Sequence, residues 1–549
     1  MVRVLHSRFA HYILLLAITA ALTLPGLGTF SLWDIDEGLN AEAAREMLES
    51  GNWVVPTFNF KPRTAKPAML YWLQALAYQR FGVNEFSARL PSVLAGAAAM
   101  LLTYELGRRM FSPATGLLGG IVAISTVQVS VLAHAATPDA LLLAGLMLTF
   151  WLFWTGSAGG SRRWTWTTGL GCGLAILAKG PVGLAMPAAV IGYYFFAQRQ
   201  ARRLLDTQLF GGIALMLAVA GPWYALVGAE TRGRFLKAFW EMDNVGRFLA
   251  PMDGHSGSVF YYPVALLIGL APWSILFWPA LRDTMQSVTS RSERGDDRGE
   301  ADAVRFLVCW IAVYVGFFSL AQTKLPNYIL PVYPPLALLT ARFLVRWRAG
   351  VAAVGRLDLP FALAALAIIG VGVVVGLAVA GGVFTPAAWA KQVIIGLARW
   401  AWIGAIPIIG AVFGASYLRR RRRAGVVAAL AATALLFIGI GSALPIRAVE
   451  THKACRSLVA AAGACRPYDE VRIACLGYFQ PSLVFYCRRE VGELYTADQA
   501  LDLLRGPLPA YVICPADVGE RIAGSGAYHV TSRHRDLYRT IDVVAVTNQ

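Results

Sequence analysis

The chain is a succession of apolar runs separated by short polar loops. About 20 consecutive apolar residues cross a bilayer. Thirteen stretches approach that length, near 11–30, 88–107, 114–134, 138–156, 164–179, 181–197, 208–228, 259–281, 304–321, 326–345, 360–383, 395–417 and 424–444. The fifth and sixth are short and divided by Lys179-Gly180-Pro181. Arg3 and Arg8 precede the apolar run Tyr12–Leu24, and no small-residue cleavage motif follows it, so a retained first span is expected. Cytoplasmic loops are enriched in Lys and Arg. With the N-terminus inside, the inner loops hold Arg108-Arg109, Arg162-Arg163, Arg199 with Arg202-Arg203, Arg282 to Arg305, Arg342 to Arg356, and the run Arg419–Arg423. An odd number of spans then puts the segment after Pro445 outside.

That segment changes character. Val471–Leu476, Ala510–Cys514 and Ile541–Val546 read as short strands and Ala497–Leu504 as a helix. The chain therefore divides into a membrane domain, 1–444, with long outer loops 31–87 and 229–258, and a small α/β domain, 445–549. Five of the seven cysteines fall in the second part: Cys455, Cys465, Cys475, Cys487 and Cys514. An outer compartment permits disulfides, an odd count leaves at least one thiol free, and buried unpaired thiols are the alternative.

Composition agrees with lipid burial: 57% of residues are hydrophobic and 15% charged, where a soluble protein is about 25% charged. The net charge of +17 lies in the short loops, so it is read as membrane topology and not as a nucleic-acid interface. No internal repeat stands out, which weakens a duplicated transporter architecture.

The chemistry gathers in the outer loops. Trp33-Asp34-Ile35-Asp36-Glu37 places three carboxylates at the mouth of a span. Asn40–Ser50 reads as an amphipathic helix, with Ala41, Ala44, Met47 and Leu48 on one side and Glu42, Arg45, Glu46 and Glu49 on the other. Ala68–Phe81 suits a helix lying in the membrane interface, and the basic turn Lys61–Pro67 joins the two. Asp139 follows Pro138 at the outer end of one span, and Lys179 ends another. Loop 229–258 carries Glu241, Asp243, Asn244, Arg247, Asp253 and His255; Gln322–Tyr328 caps two further spans. Charges beside hydrocarbon are costly and usually mark function. Each also has a plainer reading: Asp36 or Glu37 as helix caps, Asp139 as an N-cap, Lys179, Arg247 and Lys324 as snorkelling anchors, and His255 as structural. Their convergence on one face favours function.

These residues resemble a known family. Trp33–Glu37 through Ala41–Met47 is similar to the signature of membrane glycosyltransferases that use polyprenyl-phosphate sugars, which include the lipid A aminoarabinose transferases and the protein O-mannosyltransferases. The likeness continues through Ser50–Pro56, Lys66-Pro67, Phe81-Gly82, Pro138-Asp139, Lys179-Gly180, Arg247-Phe248 with His255 and Tyr261-Tyr262, and Lys324-Leu325-Pro326 with Tyr328. It implies a GT-C fold, a polytopic helical membrane protein of about thirteen spans followed by a small periplasmic α/β domain, in the bacterial inner membrane with a cytoplasmic N-terminus. It implies an undecaprenyl-phosphate-linked sugar as donor, best matched by 4-amino-4-deoxy-L-arabinose, and lipid A as acceptor. Asp36 would be the catalytic carboxylate, with Asp139 holding the sugar and Glu37 supporting Lys66. Lys66, Arg247, Lys324 and Lys179 would bind the donor phosphate, and Asp34, Tyr328, His255, Asn244 and Tyr262 would contact substrate. Family members usually carry Glu before the Lys-Pro pair and often a histidine before Arg-Phe, and those residues resemble a metal site. Here the positions hold Ala65 and Asp243-Asn244, so no metal or other cofactor is expected and the lipid A acceptor is open. A same-fold transferase moving a hexose such as mannose to a protein, lipid or polysaccharide hydroxyl is the alternative. A flippase or transporter of lipid-linked sugars would want charge deep in several spans, which this chain lacks.

Overall fold

A computed structural model describes residues 7–157, 162–205, 208–251, 254–289, 295–352, 354–386, 389, 392–463, 471–526 and 528–549. Arg3, Asp253 and Cys465 lie outside the described residues.

The chain is a multi-pass membrane protein. Among the described residues, eight helices are long and apolar enough to cross a bilayer, or ten if each of two bent pairs forms one span. The pairs are Pro113–Ile124 with Val127–His134, bent by 67°, and Tyr261–Gly269 with Trp273–Val288, bent by 111°. Shorter apolar helices are Arg8–Thr23 and Val182–Ala197, and Trp164–Lys179 is a helix of 16 residues. Each predicted apolar stretch coincides with one of these helices or pairs.

Small residues let the helices approach closely. A side chain at Gly169 would meet the Gly212 carbonyl oxygen at 2.1 Å, so Trp164–Lys179 lies directly on Leu209–Glu230. Trp164–Lys179 also packs along Asp139–Ser157. The start of the one helix thereby meets the end of the other, an acid at a positive helix terminus beside a lysine at a negative one.

The loops predicted to lie inside are knitted together. Arg282 pairs with Asp358 at 2.7 Å, Arg342 with Asp283 at 2.6 Å and Glu300 at 2.7 Å, and Arg423 donates to the Trp347 carbonyl at 3.0 Å. Arg423, read from sequence as a topology signal alone, also caps the helix Tyr333–Ala349.

The segment 31–87 lies outside the bundle. Its two helices run Asp36–Ser50 and Met69–Phe81. Between them a hairpin pairs Thr57–Phe58 with Lys61–Pro62. Its turn residues Asn59 and Phe60 have φ of 51° and 60°, the left-handed region that tight hairpins need. Asp36–Ser50 departs from the amphipathic expectation: Glu42, Arg45 and Glu46 are as buried as Ala41 and Ala44. Arg45 instead binds Glu42 and Glu49 within the helix, and Glu46 accepts from the Thr57 hydroxyl and from the Phe60 backbone at 3.1 Å.

The C-terminal domain is a five-stranded mixed sheet ordered Gly492–Leu494, Arg472–Leu476, Ala510–Pro515, Asp542–Thr547, His529–Arg535. The first three are parallel and the last two antiparallel to their neighbours. Alternate residues feed separate cores, Tyr511 and Ile513 with Val543 and Ala545 on one face, Val512 and Cys514 with Val544 and Val546 on the other. Burial on both faces explains the unbroken apolar strands. The strand His529–Arg535 escaped sequence reading because it is an edge with mostly exposed residues. Cys455, Cys475 and Cys514 are free and buried, and Cys487 is buried beside them, so for the first three the disulfide option is replaced by core thiols.

Candidate functional site

A cavity of about 370 Å³ opens between loop 31–87, the bundle and segment 239–249. Lys66, Lys179, Asp243, Asn244, Arg247, Asn327 and Tyr328 form its polar lining, and Trp240, Phe248, Tyr314, Phe317 and Phe318 much of its apolar wall. Segment Phe239–Gly246 is a π-helix, and the Asn244 amide donates to the Phe239 carbonyl at 2.7 Å across its wider turn. Such turns are rare and frequent at functional sites. The bend at Gln322 and Thr323 holds this segment in place: the two donate from their backbones to the Phe248 and Arg247 carbonyls at 3.0 and 3.2 Å.

Lys66 follows the hairpin in a bend with Ala65. Its ammonium has no hydrogen bond or ion pair among the described residues. Burial lowers its pKa to about 8, and Lys179 and Arg247 push the same way while Asp36 and Asp243 oppose them. An amine partly stripped of water, between two other cations, is poised for an anionic ligand. Burial raises Asp243, opposed by Lys66 and Arg247, and Asp243 lies 3.7 Å from the Arg247 guanidinium.

Asp36 begins its helix, is exposed, and makes no side-chain cap. It is close enough to act electrostatically on Lys66. Its neighbour Glu37 does the structural work. Glu37 is buried, accepts from Arg89 at 3.0 and 2.7 Å, and takes backbone donors from Trp33 at 2.8 Å and Ala136 at 2.7 Å. Burial pushes Glu37 up, but Arg89 and those donors more than offset it, so the net direction is down. Glu37 therefore supports Arg89 and the entry of the loop, and the expected link to Lys66 is not formed. Arg89 also donates to the carbonyls of Leu27, Phe30 and Ser31. Sequence reading passed over Arg89 because it sits inside an apolar helix, although a buried arginine needs an acid somewhere.

Asp139 is paired with Lys179 and accepts from Asn327 at 3.3 Å. Lys179 sits 5.4 Å from the Tyr328 ring centre. Asp139 thus orients a lysine at the cavity wall. Asn327, next to Tyr328 in an anticipated stretch, was not singled out; a polar residue between Pro326 and an aromatic at a helix mouth was the available signal.

Four expected contacts lie elsewhere. Lys324 donates to the Ser319 and Ala321 carbonyls at 2.8 Å, closing the end of helix Gly299–Leu320, and does not line the cavity. Tyr262 is buried beneath it, 5.5 Å from the Lys324 ammonium. His255 is exposed and offers its carbonyl to the Lys324 backbone at 3.0 Å. Asp34 docks the C-terminal domain: it accepts from the Ser482 backbone at 2.7 Å and from the Ser482 hydroxyl, and its own N–H donates to Tyr538 at 2.8 Å. Burial raises Asp34 to about 6 against the pull of Ser482 and Lys453. Among the described residues no group of three or more His, Cys, Asp or Glu side chains is placed to hold a metal ion.

Comparison with known proteins places these features. Residues 65–225 match the family model of dolichyl-phosphate-mannose-protein mannosyltransferases. An undecaprenyl phosphate-alpha-4-amino-4-deoxy-L-arabinose arabinosyl transferase of Erwinia tasmaniensis is 34% identical over 61% of this chain and 59% of its own length. The same-named protein of a Pseudomonas aeruginosa strain is 33% identical over 66% and 65%. The chain thus spans about three fifths of the first of these relatives. The crystal structure of ArnT from Cupriavidus metallidurans bound to undecaprenyl phosphate superposes with a TM-score of 0.80 over 99% of both chains, at 23% identity. The fold is therefore the GT-C fold of that structure, C-terminal domain included.

Proposed function

We propose that this chain is an inner-membrane glycosyltransferase that moves 4-amino-4-deoxy-L-arabinose from undecaprenyl phosphate to lipid A. The observation that carries the reading is the Lys66 ammonium, without a partner among the described residues, which lines the cavity with Lys179 and Arg247, while the exposed Asp36 carboxylate, outside the lining, is close enough to act on it electrostatically. The named activities of the similar Erwinia and Pseudomonas proteins support the sugar and its carrier.

The donor's polyprenyl chain lies along the apolar wall of Phe248, Phe317 and Phe318, with its phosphate at the cations. The acceptor oxygen bonds to the anomeric carbon as the bond from that carbon to the phosphate oxygen breaks. The electron pair leaves with undecaprenyl phosphate, and one displacement inverts the anomeric centre. Charge grows on the phosphate during departure, so fixed cations lower the barrier. Arg247 offers a bidentate fork and Lys66 a point charge. A protonated acceptor oxygen gives its proton to Asp36; an acceptor phosphate that is already anionic is oriented by it. Lys179, held by Asp139, lines the phosphate end together with Tyr328 and Asn244. Lys324 acts through the helix end it closes. The reading assigns no metal, on the residue types at Ala65 and Asn244. The arginine-rich loops support a cytoplasmic N-terminus and a periplasmic C-terminal domain.

The test is a lipid A mass spectrum from a host that makes the lipid-linked aminoarabinose but lacks its own transferase. An aminoarabinose increment is expected with this chain and not with Asp36→Asn at equal membrane levels. No increment with the folded wild type would remove lipid A as acceptor.

A further inference from the structure

Asp36 and Lys66 have no side-chain partner among the described residues, so none of those residues fixes their separation through their own side chains. Their chain neighbours are the opposite. Asp34, two residues before Asp36, accepts two hydrogen bonds from Ser482. Helix Asp36–Ser50 lies so close to this point that a side chain on Gly38 would meet the Ser482 nitrogen at 2.6 Å. Asn59, seven residues before Lys66, forms a two-way amide contact: its Nδ2 donates to the Val491 carbonyl and its Oδ1 accepts the Val491 N–H, both at 2.9 Å. Asn59 is buried although it sits at the hairpin tip. The other side of the hairpin is tied to Glu46, on the helix that Asp36 begins. Ser482 and Val491 stand at the two ends of one piece of the C-terminal domain, the helix Pro481–Cys487 and the turn after it. That helix is buried and shares Phe485 with the core of loop 31–87.

We propose that segment 482–491 of the C-terminal domain is a positioning element of the transfer site, in which Ser482 fixes Asp36 through Asp34 and the Val491 backbone fixes Lys66 through Asn59. The inference rests on the transferase reading above. Its physical basis is that a misplacement of about 1 Å in a reacting pair costs about a hundredfold in rate, and that a site on loops needs a supporting shell to hold it. The C-terminal domain supplies that shell from outside the membrane, bridging two points on either side of the helix Asp36–Ser50.

Full-length Ser482→Ala, Asp34→Asn, their double variant and Asn59→Gly test it. Glycine keeps the left-handed turn at position 59 and removes only the amide. With melting temperatures matched to the wild type, Ser482→Ala is expected to lower kcat by about tenfold to a hundredfold, with donor KM changed less than threefold. The double variant should be no slower than the slower single, because both substitutions act on the same Asp34–Ser482 contact, Ser482→Ala removing its hydroxyl bond and leaving the backbone one. Asn59→Gly should weaken undecaprenyl phosphate binding as well as kcat. If the wild type transfers sugar and both Ser482→Ala and Asn59→Gly keep kcat within twofold, the positioning role is overturned and the transferase reading stands. Additive losses in the double variant also overturn it. If the wild type transfers none of the polyprenyl-phosphate sugars offered, the transferase reading fails. Undecaprenyl phosphate binding then judges the hairpin alone, and equal affinity in wild type and Asn59→Gly overturns that half too.

Discussion

Loop 31–87 carries two sets of charges that the fold treats in opposite ways. Glu37 and Asp34 have their oxygens filled, by Arg89 and by Ser482, and Glu46 is bonded to the hairpin. Asp36 and Lys66, on the same loop, hold no partner among the described residues. A buried polar group without a partner costs about 1–3 kcal/mol, so bonding is the default for Lys66, which lines the cavity, whereas Asp36 is exposed and leaves its oxygens to solvent. Neighbours as close as Asp36 and Glu37 thus differ completely in their bonding among the described residues.

Substitutions can break that contrast or sharpen it. Asp36→Asn should lower turnover by about 10²–10⁴ while leaving the detergent melting temperature unchanged, since the Asp36 side chain has no partner among the described residues. An equally active Asn variant would take Asp36 out of the chemistry. Arg89→Ala should do the reverse. Removing one partner of a buried pair costs about 3–5 kcal/mol, so the protein should lose its monodisperse peak in size-exclusion chromatography before any kinetic effect is measurable. Lys66→Ala should cut kcat by about 10²–10³ together with donor affinity. A change in affinity alone would demote Lys66 to binding.

Titration separates the two roles in another way. Burial holds Lys66 at about 8, against 10.5 for an ordinary lysine. Between those values the unfolded chain binds more protons than the folded one, so rising pH stabilises the protein while it discharges Lys66 and reduces transfer. Lys453, lowered by burial to about 8, shares the stability gain, so the activity profile is the diagnostic one. Lys66→Arg should move the alkaline fall of activity to higher pH, and a fall that stays near pH 8 would assign it to another group. The smallest effect is expected at Lys324. Lys324→Met should lower stability by about 1–2 kcal/mol through its lost carbonyl contacts and leave the donor KM within twofold.

The sequence by itself determined the alternation of apolar runs and basic loops, the gathering of polar groups in the outer loops, and the residue types that face the cavity. Lys66, Lys179, Asn244, Arg247 and Tyr328 were all found there. Hydropathy and residue chemistry are local properties, so they are readable one stretch at a time. Partnership is not local. Only the folded chain decided that Asp34 meets Ser482, 448 residues away, that Glu37 takes Arg89, and that Asp139 holds Lys179. It also decided that Glu42, Arg45 and Glu46 on the polar face of Asp36–Ser50 are buried and that Lys324 closes a helix. A carboxylate at a span mouth is chemically the same whether it docks a domain, balances a buried arginine or awaits a substrate. What distinguishes these fates is whether another group reaches its oxygens, and that is fixed by packing between segments far apart in the chain.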